Sequence, residues 1–162
     1  MIQKCCPECG TKLIEKELDK EGFVPFCPSC NQYRFQMFNT ACSMIIINKE
    51  TNKILLVKQY GRTLYILVAG YVNRGETLED CVRREIKEET NMTVEDIKFN
   101  HSKFYEPSNT LMCNFIVHVK NDSELCVNDE IDSYEWFTEK ESLENIKKGT
   151  AEWFLRYYLG AL

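Results

Sequence analysis

Residues 70–92 read GYVNRGETLEDCVRREIKEETNM, and this stretch decides how the rest of the chain is interpreted. Its second half contains three carboxylates, Glu85, Glu88 and Glu89, at i, i+3 and i+4 spacing. On a helix this spacing places them on one face, within one turn of each other. Like charges held so close repel one another, and a divalent cation relieves the repulsion. Because carboxylate oxygens are hard ligands that suit magnesium or manganese, the pattern predicts a divalent-metal site.

Local signals predict a loop followed by a helix. Thr77 and Asp80, three residues apart, are typical of a helix N-cap, in an acidic variant of the capping box. Four apolar residues follow 3.6-residue periodicity and are expected to face the core: Leu78, Cys81, Val82 and Ile86. The three carboxylates lie off this stripe. Arg84 is placed to pair with Glu76 and so to hold the preceding loop against the helix.

The same stretch resembles the Nudix box, G-x5-E-x7-R-E-U-x-E-E-x-G-U, in which U is an aliphatic residue. Eight residues match its defined positions: Gly70, Glu76, Arg84, Glu85, Ile86, Glu88, Glu89 and Met92. Asn91 departs from the family's glycine. Asparagine is the next most tolerant residue of the left-handed conformation that ends a helix, so we expect the turn to persist. A solvated acidic helix face would leave the glycine, the upstream glutamate and the arginine unexplained.

Length and charge narrow the classes of protein that this chain can belong to. Its 162 residues suit one ordinary domain with a small appendage. No apolar run approaches the roughly 18–20 residues of a membrane span. The N-terminal MIQKCCPECG has no apolar signal segment, so we expect a soluble, cytoplasmic protein. The net charge of −5 argues against tight binding to duplex nucleic acid, but a phosphate-bearing small substrate is compatible with a metal-loaded site.

Nine cysteines are present, and four of them form two CxxC pairs. Cys6 and Cys9 are followed, after 17 residues, by Cys27 and Cys30. This spacing predicts a four-thiolate zinc ribbon over residues 1–34, in which the zinc is structural. Cys5 remains an alternative to Cys6 as the first ligand, although two residues between Cys6 and Cys9 are the more typical spacing of a zinc-binding pair. The other four are interpreted as reduced core residues: Cys42, Cys81, Cys113 and Cys126.

Residues 38–162 are expected to form the second domain. Runs rich in β-branched residues and leucine predict strands at 41–48, 53–59, 64–69, 94–106, 110–120 and 131–137. Residues 139–147 and 151–159 have helical character. Periodicity alone supports an α+β fold, and the Nudix resemblance implies an α/β/α sandwich around a mixed sheet. His101 and His118 are not expected to be ligands.

A four-cysteine ribbon followed by a Nudix box is similar to the NADH pyrophosphatase branch of the family. The segment Pro107–Met112 resembles the end of that branch's signature, S-Q-P-W-P-F-P-x-S-L-M. Glu130 lies six residues before Trp136, where the branch has another metal-binding glutamate. Tyr71 falls where the branch has an aromatic residue that stacks on the substrate. Residues 101–106 lack the Gln-Pro-Trp core, which puts the preference for NADH in doubt.

The resemblance implies a diphosphohydrolase dependent on Mg²⁺ or Mn²⁺. It would cleave the pyrophosphate of a nucleoside diphosphate linked to another moiety, with NAD(H)-type dinucleotides as the first candidate. The alternatives are an ADP-ribose or nucleotide-sugar diphosphatase, a hydrolase of NAD-capped RNA, or a non-catalytic nucleotide sensor. Expected metal ligands are Glu85, Glu88, Glu89 and Glu130, with the Gly70 carbonyl. The identity of the general base and the number of catalytic metals stay open, and the branch also implies a homodimer.

Overall fold

A computed structural model of the chain describes residues 3–162, which form two compact units that meet in the sequence between Phe38 and Asn39. The first unit contains an antiparallel sheet of three strands: β1 (Ile14–Leu18), β2 (Gly22–Cys27) and β3 (Gln32–Tyr33). Phe26 packs edge-on against Tyr33, with ring centroids 5.0 Å apart. So small a sheet buries few apolar side chains, so a unit of this size commonly needs a metal or disulfide to be stable.

The second unit is built on a six-stranded mixed sheet. Its strands are β4 (Asn39–Asn48), β5 (Lys53–Gln59), β6 (Val68–Tyr71), β7 (Val94–Tyr105), β8 (Thr110–Val119) and β9 (Ile131–Phe137). The order is β7-β8-β4-β5-β9, and β6 also pairs with β4. Strands β4 and β8 run parallel, whereas the other pairs are antiparallel. The mixed sheet confirms the prediction.

Helices cover both faces of this sheet. They are α1 (Leu78–Thr90), α2 (Glu139–Asn145) and α3 (Thr150–Tyr158). Met44 of β4 packs in one apolar cluster with Ile86 of α1, and Ile45 packs in a second cluster with Leu155 of α3. Because successive strand residues point to opposite faces, β4 supplies both clusters, and the unit is the expected α/β/α sandwich. None of the helices within residues 3–162 is long and apolar enough to cross a membrane.

The third strand of the second unit is shifted from its expected position at residues 64–69. Strand β6 pairs with Ala41–Met44 of β4, whereas Ile66 makes only an isolated bridge with Val57 of β5. Strand β5 pairs with the C-terminal half of β4, so the chain passes β5 at Ile66 and then continues along the N-terminal half. Gly70 therefore lies inside β6, one residue beyond the predicted end of this strand.

Helix α1 begins and ends where the sequence predicts. Thr77 Oγ1 accepts a hydrogen bond from the Asp80 amide at 3.1 Å. At the other end Asn91 adopts φ 59°, and its amide donates to the Lys87 carbonyl at 3.0 Å. Asparagine therefore ends this helix in the expected left-handed conformation.

Three of the four cysteines assigned to the core are buried, but Cys126 is exposed. Its neighbours Leu125 and Val127 pack against the apolar cluster that includes α1. In an extended segment the residue between two inward-facing side chains points outward, so the core assignment of Cys126 was wrong.

Candidate metal and substrate sites

Four cysteines of the first unit converge on one point. The Sγ atoms of Cys6, Cys9, Cys27 and Cys30 all lie within 4.8 Å of one another. Cys9 and Cys27 are 3.5 Å apart, and Cys6 and Cys30 are 3.9 Å apart. A tetrahedral zinc with Zn–S bonds of about 2.3 Å separates its sulfurs by about 3.8 Å, so this set fits a structural metal. Cys5 is exposed and lies outside the group, which resolves the choice in favour of Cys6.

In the second unit, Arg84 ties the loop after β6 to helix α1. Its Nε and Nη2 atoms donate to Glu76 at 2.7 and 3.0 Å, which confirms the predicted pair. Its Nη1 atom donates to Glu85 at 2.6 Å and to Glu88 at 3.0 Å. Nη2 also reaches the Tyr71 carbonyl at 3.0 Å. One guanidinium thus connects the end of β6, the loop and the helix face that carries the carboxylates.

Glu76 is the loop's anchor. Its Oε2 accepts a hydrogen bond from the Asn73 amide at 2.8 Å. Hydrogen bonds from the Arg84 side chain, and next from the Asn73 amide, lower the pKa of Glu76 to about 2. The carboxylate is therefore ionised at neutral pH and holds the loop through a charged pair.

Gly70 provides the space that Glu85 occupies. A Cβ atom added at Gly70 would overlap the carboxyl group of Glu85. Gly70 pairs with Cys42 in the sheet, so its backbone is fixed by the strand and cannot easily move aside. The missing side chain therefore lets the Glu85 carboxylate pack directly against β6.

Glu89 is the most buried of the three helix carboxylates, at 3% exposure, so the expectation that all three lie off the core-facing stripe was wrong for this residue. It lies three residues after Ile86, at the edge of the stripe. Its Oε2 accepts a hydrogen bond from Gln59 Nε2 at 2.7 Å. Burial, followed by the negative charges of Glu85 and Glu130, raises the pKa of Glu89 to about 8. A cation would favour the charged form.

Glu130 reaches this cluster from the loop before β9. The Asn128 amide donates to the Glu89 carbonyl at 3.1 Å, which fixes the loop against the end of α1. The Glu130 amide in turn donates to Asn128 Oδ1 at 3.0 Å. The Tyr60 hydroxyl donates to Glu130 Oε2 at 2.5 Å. The loop thus brings Glu130 close enough to Glu89 for its negative charge to help raise the pKa of Glu89.

Gln59 and Tyr60 were missed from the sequence. Gln59 is the last residue of β5 and Tyr60 follows it, and each donates to one carboxylate of the cluster. The only available signal is that Gln59 shares a strand face with Leu55 and Val57, which pack in the cluster that includes α1. That signal can be used only once it is known that β5 packs against α1. No local sequence pattern predicts this packing.

The four carboxylates share one pattern of hydrogen bonding. Within residues 3–162, one oxygen of each accepts a hydrogen bond from Arg84, Gln59 or Tyr60, and the other oxygen accepts none. The residues concerned are Glu85, Glu88, Glu89 and Glu130. Oxygen ligands that are oriented through one atom and open at the other are those that Mg²⁺ and Mn²⁺ use.

A cavity of about 390 Å³ lies between the sheet and α3. Its wall includes Ser43 and Ala69 from neighbouring strands and Phe154 from α3. Ala69 and Gly70 are consecutive in a strand, so the cavity and the Glu85 carboxylate lie on opposite sides of β6. Tyr71, 56% exposed, points to the same side as Ala69. The volume is in the range of pockets that bind small ligands.

A family model described as the NUDIX domain matches residues 37–157 of this chain. The chain belongs to the Nudix family. Its predicted membership is therefore confirmed.

Two curated relatives are 30% and 27% identical to the chain over the aligned residues. The NAD-capped RNA hydrolase NudC of Vibrio parahaemolyticus is 30% identical over 138 residues, which cover 84% of this chain and 51% of that protein. The NAD-capped RNA hydrolase NUDT12 of Homo sapiens is 27% identical over 158 residues, covering 93% of this chain and 34% of that protein. The chain thus spans about half, or less, of the length of these relatives.

Two solved structures have the same fold as the chain. A NUDIX hydrolase from Nitrosomonas europaea aligns with a TM-score of 0.70 at 24% identity, covering 98% of this chain and 91% of that one. A C. elegans Ap4A hydrolase aligns with a TM-score of 0.63 at 20% identity, covering 74% and 96%. At these identities the two structures bear on the fold alone.

Proposed function

We propose that this chain is a Mg²⁺- or Mn²⁺-dependent hydrolase that cleaves the pyrophosphate of a nucleoside diphosphate linked to another moiety. NAD(H)-type dinucleotides are the first candidate substrates. The observation that carries the proposal is the set of four carboxylates, each held through one oxygen and open at the other. A helix that only presented charge to solvent would not need a buried glutamate with a glutamine donor.

The residues of the cluster have separate tasks in this proposal. A bound divalent ion would activate water and neutralise charge on the phosphate oxygens. Arg84 fixes the loop, Gly70 makes room for Glu85, and Gln59 and Tyr60 orient two of the carboxylates. One of the four carboxylates accepts the proton of the attacking water, and each of them remains a candidate.

The cavity beside β6 supports a place for one nucleoside of the substrate. It is lined mainly by apolar side chains, with a few hydroxyls and two lysines at residues 147 and 148. This is the composition of pockets that bind a flat apolar ring and orient it with a small number of polar groups. Tyr71, on the same side of β6, supports the predicted stacking on the substrate.

Hydrolysis of NAD-capped RNA is the second candidate, because the curated relatives carry that name.

The absent Gln-Pro-Trp core argues for weaker discrimination between NADH and ADP-ribose. In this chain His101 packs against Trp153 and Tyr157 of α3, at centroid distances of 5.1 and 4.5 Å. The segment therefore contributes to packing against the helix. A non-catalytic sensor is disfavoured because all four carboxylates are present.

A substrate screen tests the proposal. NADH, NAD, ADP-ribose, nucleotide sugars and NAD-capped RNA are incubated with Mg²⁺ or Mn²⁺, and products are separated by chromatography. We expect NADH to give reduced nicotinamide mononucleotide and AMP. A kcat/KM for NADH well below that for ADP-ribose would assign the enzyme to the ADP-ribose or nucleotide-sugar diphosphatases. Absence of turnover of every compound would contradict the proposal.

Three further properties are proposed with it. Cys6, Cys9, Cys27 and Cys30 hold a structural zinc, which their sulfur geometry supports. A homodimer follows from the resemblance to the NADH pyrophosphatase branch, and light scattering of the purified chain tests it. A cytoplasmic location stays a prediction from the sequence.

A further inference from the structure

A chain of hydrogen-bonded asparagine side chains runs across neighbouring strands of the sheet and ends at the cavity. Asn100 Nδ2 donates to the Phe154 carbonyl at 3.1 Å and to Asn114 Oδ1 at 2.9 Å. Asn114 Nδ2 donates to the Ser43 carbonyl at 3.1 Å and to Ser43 Oγ at 2.7 Å. Asn114 is fully buried and Ser43 is 4% exposed. The chain therefore connects α3, β7, β8 and β4 and ends at a hydroxyl that lines the cavity.

The direction of these hydrogen bonds is fixed at both ends. A carbonyl oxygen only accepts, so the Asn100 atom that faces Phe154 is the amide nitrogen. That nitrogen also faces Asn114, which must therefore present its oxygen. The Asn114 nitrogen then points to the Ser43 carbonyl, which again can only accept. Ser43 Oγ consequently accepts from Asn114, and its own proton is left to donate elsewhere.

A β-bulge places Asn100 in this chain of hydrogen bonds. In the pairing of β7 with β8, Phe99 is opposite Phe115 and His101 is opposite Asn114, so Asn100 is the extra residue of a bulge. A bulge redirects a side chain that regular alternation would point elsewhere. Here it directs Asn100 towards α3 and Asn114. A polar chain that needs a bulge to form is a built feature of the sheet.

We infer that Ser43 is a specificity-determining residue, whose hydroxyl donates a hydrogen bond into the cavity to a carbonyl oxygen on the substrate's base or carboxamide. The inference rests on the proposed function, because it places the base end of the dinucleotide in this cavity. Within residues 3–162 the Ser43 hydroxyl has no acceptor of its own. Asn114 is the positioning residue, since it occupies the oxygen of Ser43 and leaves only its proton for the ligand.

A donor buried without a partner discriminates more strongly than an apolar wall does. A ligand that accepts the Ser43 proton satisfies it, whereas a ligand that cannot accept leaves a desolvated donor. The nicotinamide ring, with its carboxamide oxygen, is a substrate group of the favoured kind. We expect a matched ligand with a poor acceptor to bind roughly three- to tenfold more weakly.

The test compares NAD with thionicotinamide adenine dinucleotide, in which sulfur, a weak acceptor, replaces the carboxamide oxygen. Dissociation constants are measured by calorimetry without added divalent metal, so that nothing is cleaved. We expect the wild-type chain to prefer NAD, Ser43→Thr to keep this preference, and Ser43→Ala to bring the ratio of the two constants close to one. Equal ratios for wild type and Ser43→Ala would overturn the inference, as would equal affinities for both ligands in the wild type.

Ser108→Ala is the matched control. Ser108 lines the same cavity, but its hydroxyl shares a hydrogen bond with Thr110 Oγ1 at 2.8 Å, so the ratio should stay at its wild-type value. Asn114→Asp tests the positioning role, because a carboxylate would accept the Ser43 proton and abolish the preference with Ser43 intact. A folded Asn114→Asp chain that keeps the preference overturns that role. If this variant fails to fold, the two Ser43 variants carry the test.

The outcomes separate the inference from the proposed function. A chain that hydrolyses NADH but shows no effect of Ser43→Ala on the ratio overturns the inference and leaves the hydrolase in place. A chain that binds NAD selectively through Ser43 but cleaves none of the screened compounds supports the inference and overturns the hydrolase.

Discussion

The cysteine cluster of the first unit and the carboxylate cluster of the second unit hold their ligand atoms in different ways. The four sulfurs lie within 4.8 Å of one another, so they already form a small closed shell. The carboxylates are each held by a protein donor: Arg84 for two of them, Gln59 for one and Tyr60 for one. A closed shell of soft ligands suits a permanent structural ion, and open hard ligands suit an ion that exchanges and meets substrate.

This difference has a consequence for folding. The first unit has a three-stranded sheet with few buried apolar side chains, so we expect its stability to depend on the proposed zinc. The second unit has two apolar clusters on either side of a six-stranded sheet. Its fold is therefore expected to survive without metal, whereas the proposed activity is expected to be lost. Removal of metal from the first unit should therefore unfold that unit, whereas removal of metal from the second unit should leave its fold intact.

The largest effect is expected from Cys27→Ser. Structural zinc contributes roughly 10–16 kcal/mol of apparent binding free energy in small zinc-dependent units, so losing one ligand should unfold the first unit. Elemental analysis should find one tightly held zinc in the wild type and none in the variant, and amide exchange of residues 3–38 should accelerate. Cys5→Ser is the control, because Cys5 is exposed and outside the cluster. Wild-type protein that is reduced, never chelated and yet free of zinc would contradict the assignment.

Glu89→Gln is expected to have the next largest effect. It keeps the size of the buried side chain and removes one charge, so turnover should fall roughly 10²–10⁴-fold while the fold stays intact. Steady-state rates on the best substrate of the screen, with circular dichroism as the check on folding, measure this. Glu79→Gln, on the exposed first turn of the same helix, should keep wild-type activity. A Glu89→Gln enzyme with more than about a tenth of wild-type turnover would show that the cluster is not catalytic.

Smaller effects are expected at the two residues that orient carboxylates. Gln59→Leu leaves buried Glu89 without its donor and should weaken Mn²⁺ binding roughly 10- to 100-fold. Tyr60→Phe should do less, because Tyr60 is largely exposed. Affinity is measured by titration with Mn²⁺ under electron paramagnetic resonance. Tyr65→Phe is the control, since its hydroxyl donates to a different carboxylate, Glu135, at 3.0 Å. Equal affinities in all three variants would exclude an orienting role.

The smallest effect is expected for the thermal stability of the fold at acid pH. The pKa of Glu76 in the folded chain is about 2, below its ordinary value of 4.5, because Arg84 and the Asn73 amide stabilise the ionised form. The ion pair therefore stabilises the fold fully above pH 4.5, and this contribution is lost as the pH falls towards 2. The Tm of Glu76→Gln should lie below that of the wild type at pH 6, and the gap should narrow across this window. A gap that does not change with pH would exclude this linkage.

Local patterns predicted the parts of the molecule that depend on neighbouring residues in the sequence. The cap at Thr77, the left-handed Asn91 and the Glu76–Arg84 pair all depend on spacing within one loop and helix. The predicted position of β6 was wrong, because the true position depends on which half of β4 is left unpaired by β5. The burial of Glu89 likewise depends on how the helix packs against the sheet.

Residues that act across the sheet were beyond prediction for the same reason. Gln59 ends β5 and Tyr60 follows it, and Asn114 and Ser43 meet only because β8 runs parallel to β4. Each is an ordinary polar residue in its own strand. Their roles come from pairing between segments about 30 to 70 residues apart, as the separations of the bonded pairs show.

The central claim is that the carboxylate cluster binds an exchangeable divalent ion while the cysteine cluster keeps its own. One experiment tests it directly: Mn²⁺ titration of wild-type and Glu89→Gln protein under electron paramagnetic resonance, with zinc measured in the same samples. The account predicts saturable Mn²⁺ binding by the wild type, its loss or strong weakening in the variant, and equal zinc in both. Equal Mn²⁺ affinity in both proteins, or Mn²⁺ uptake that displaces the zinc, would contradict it.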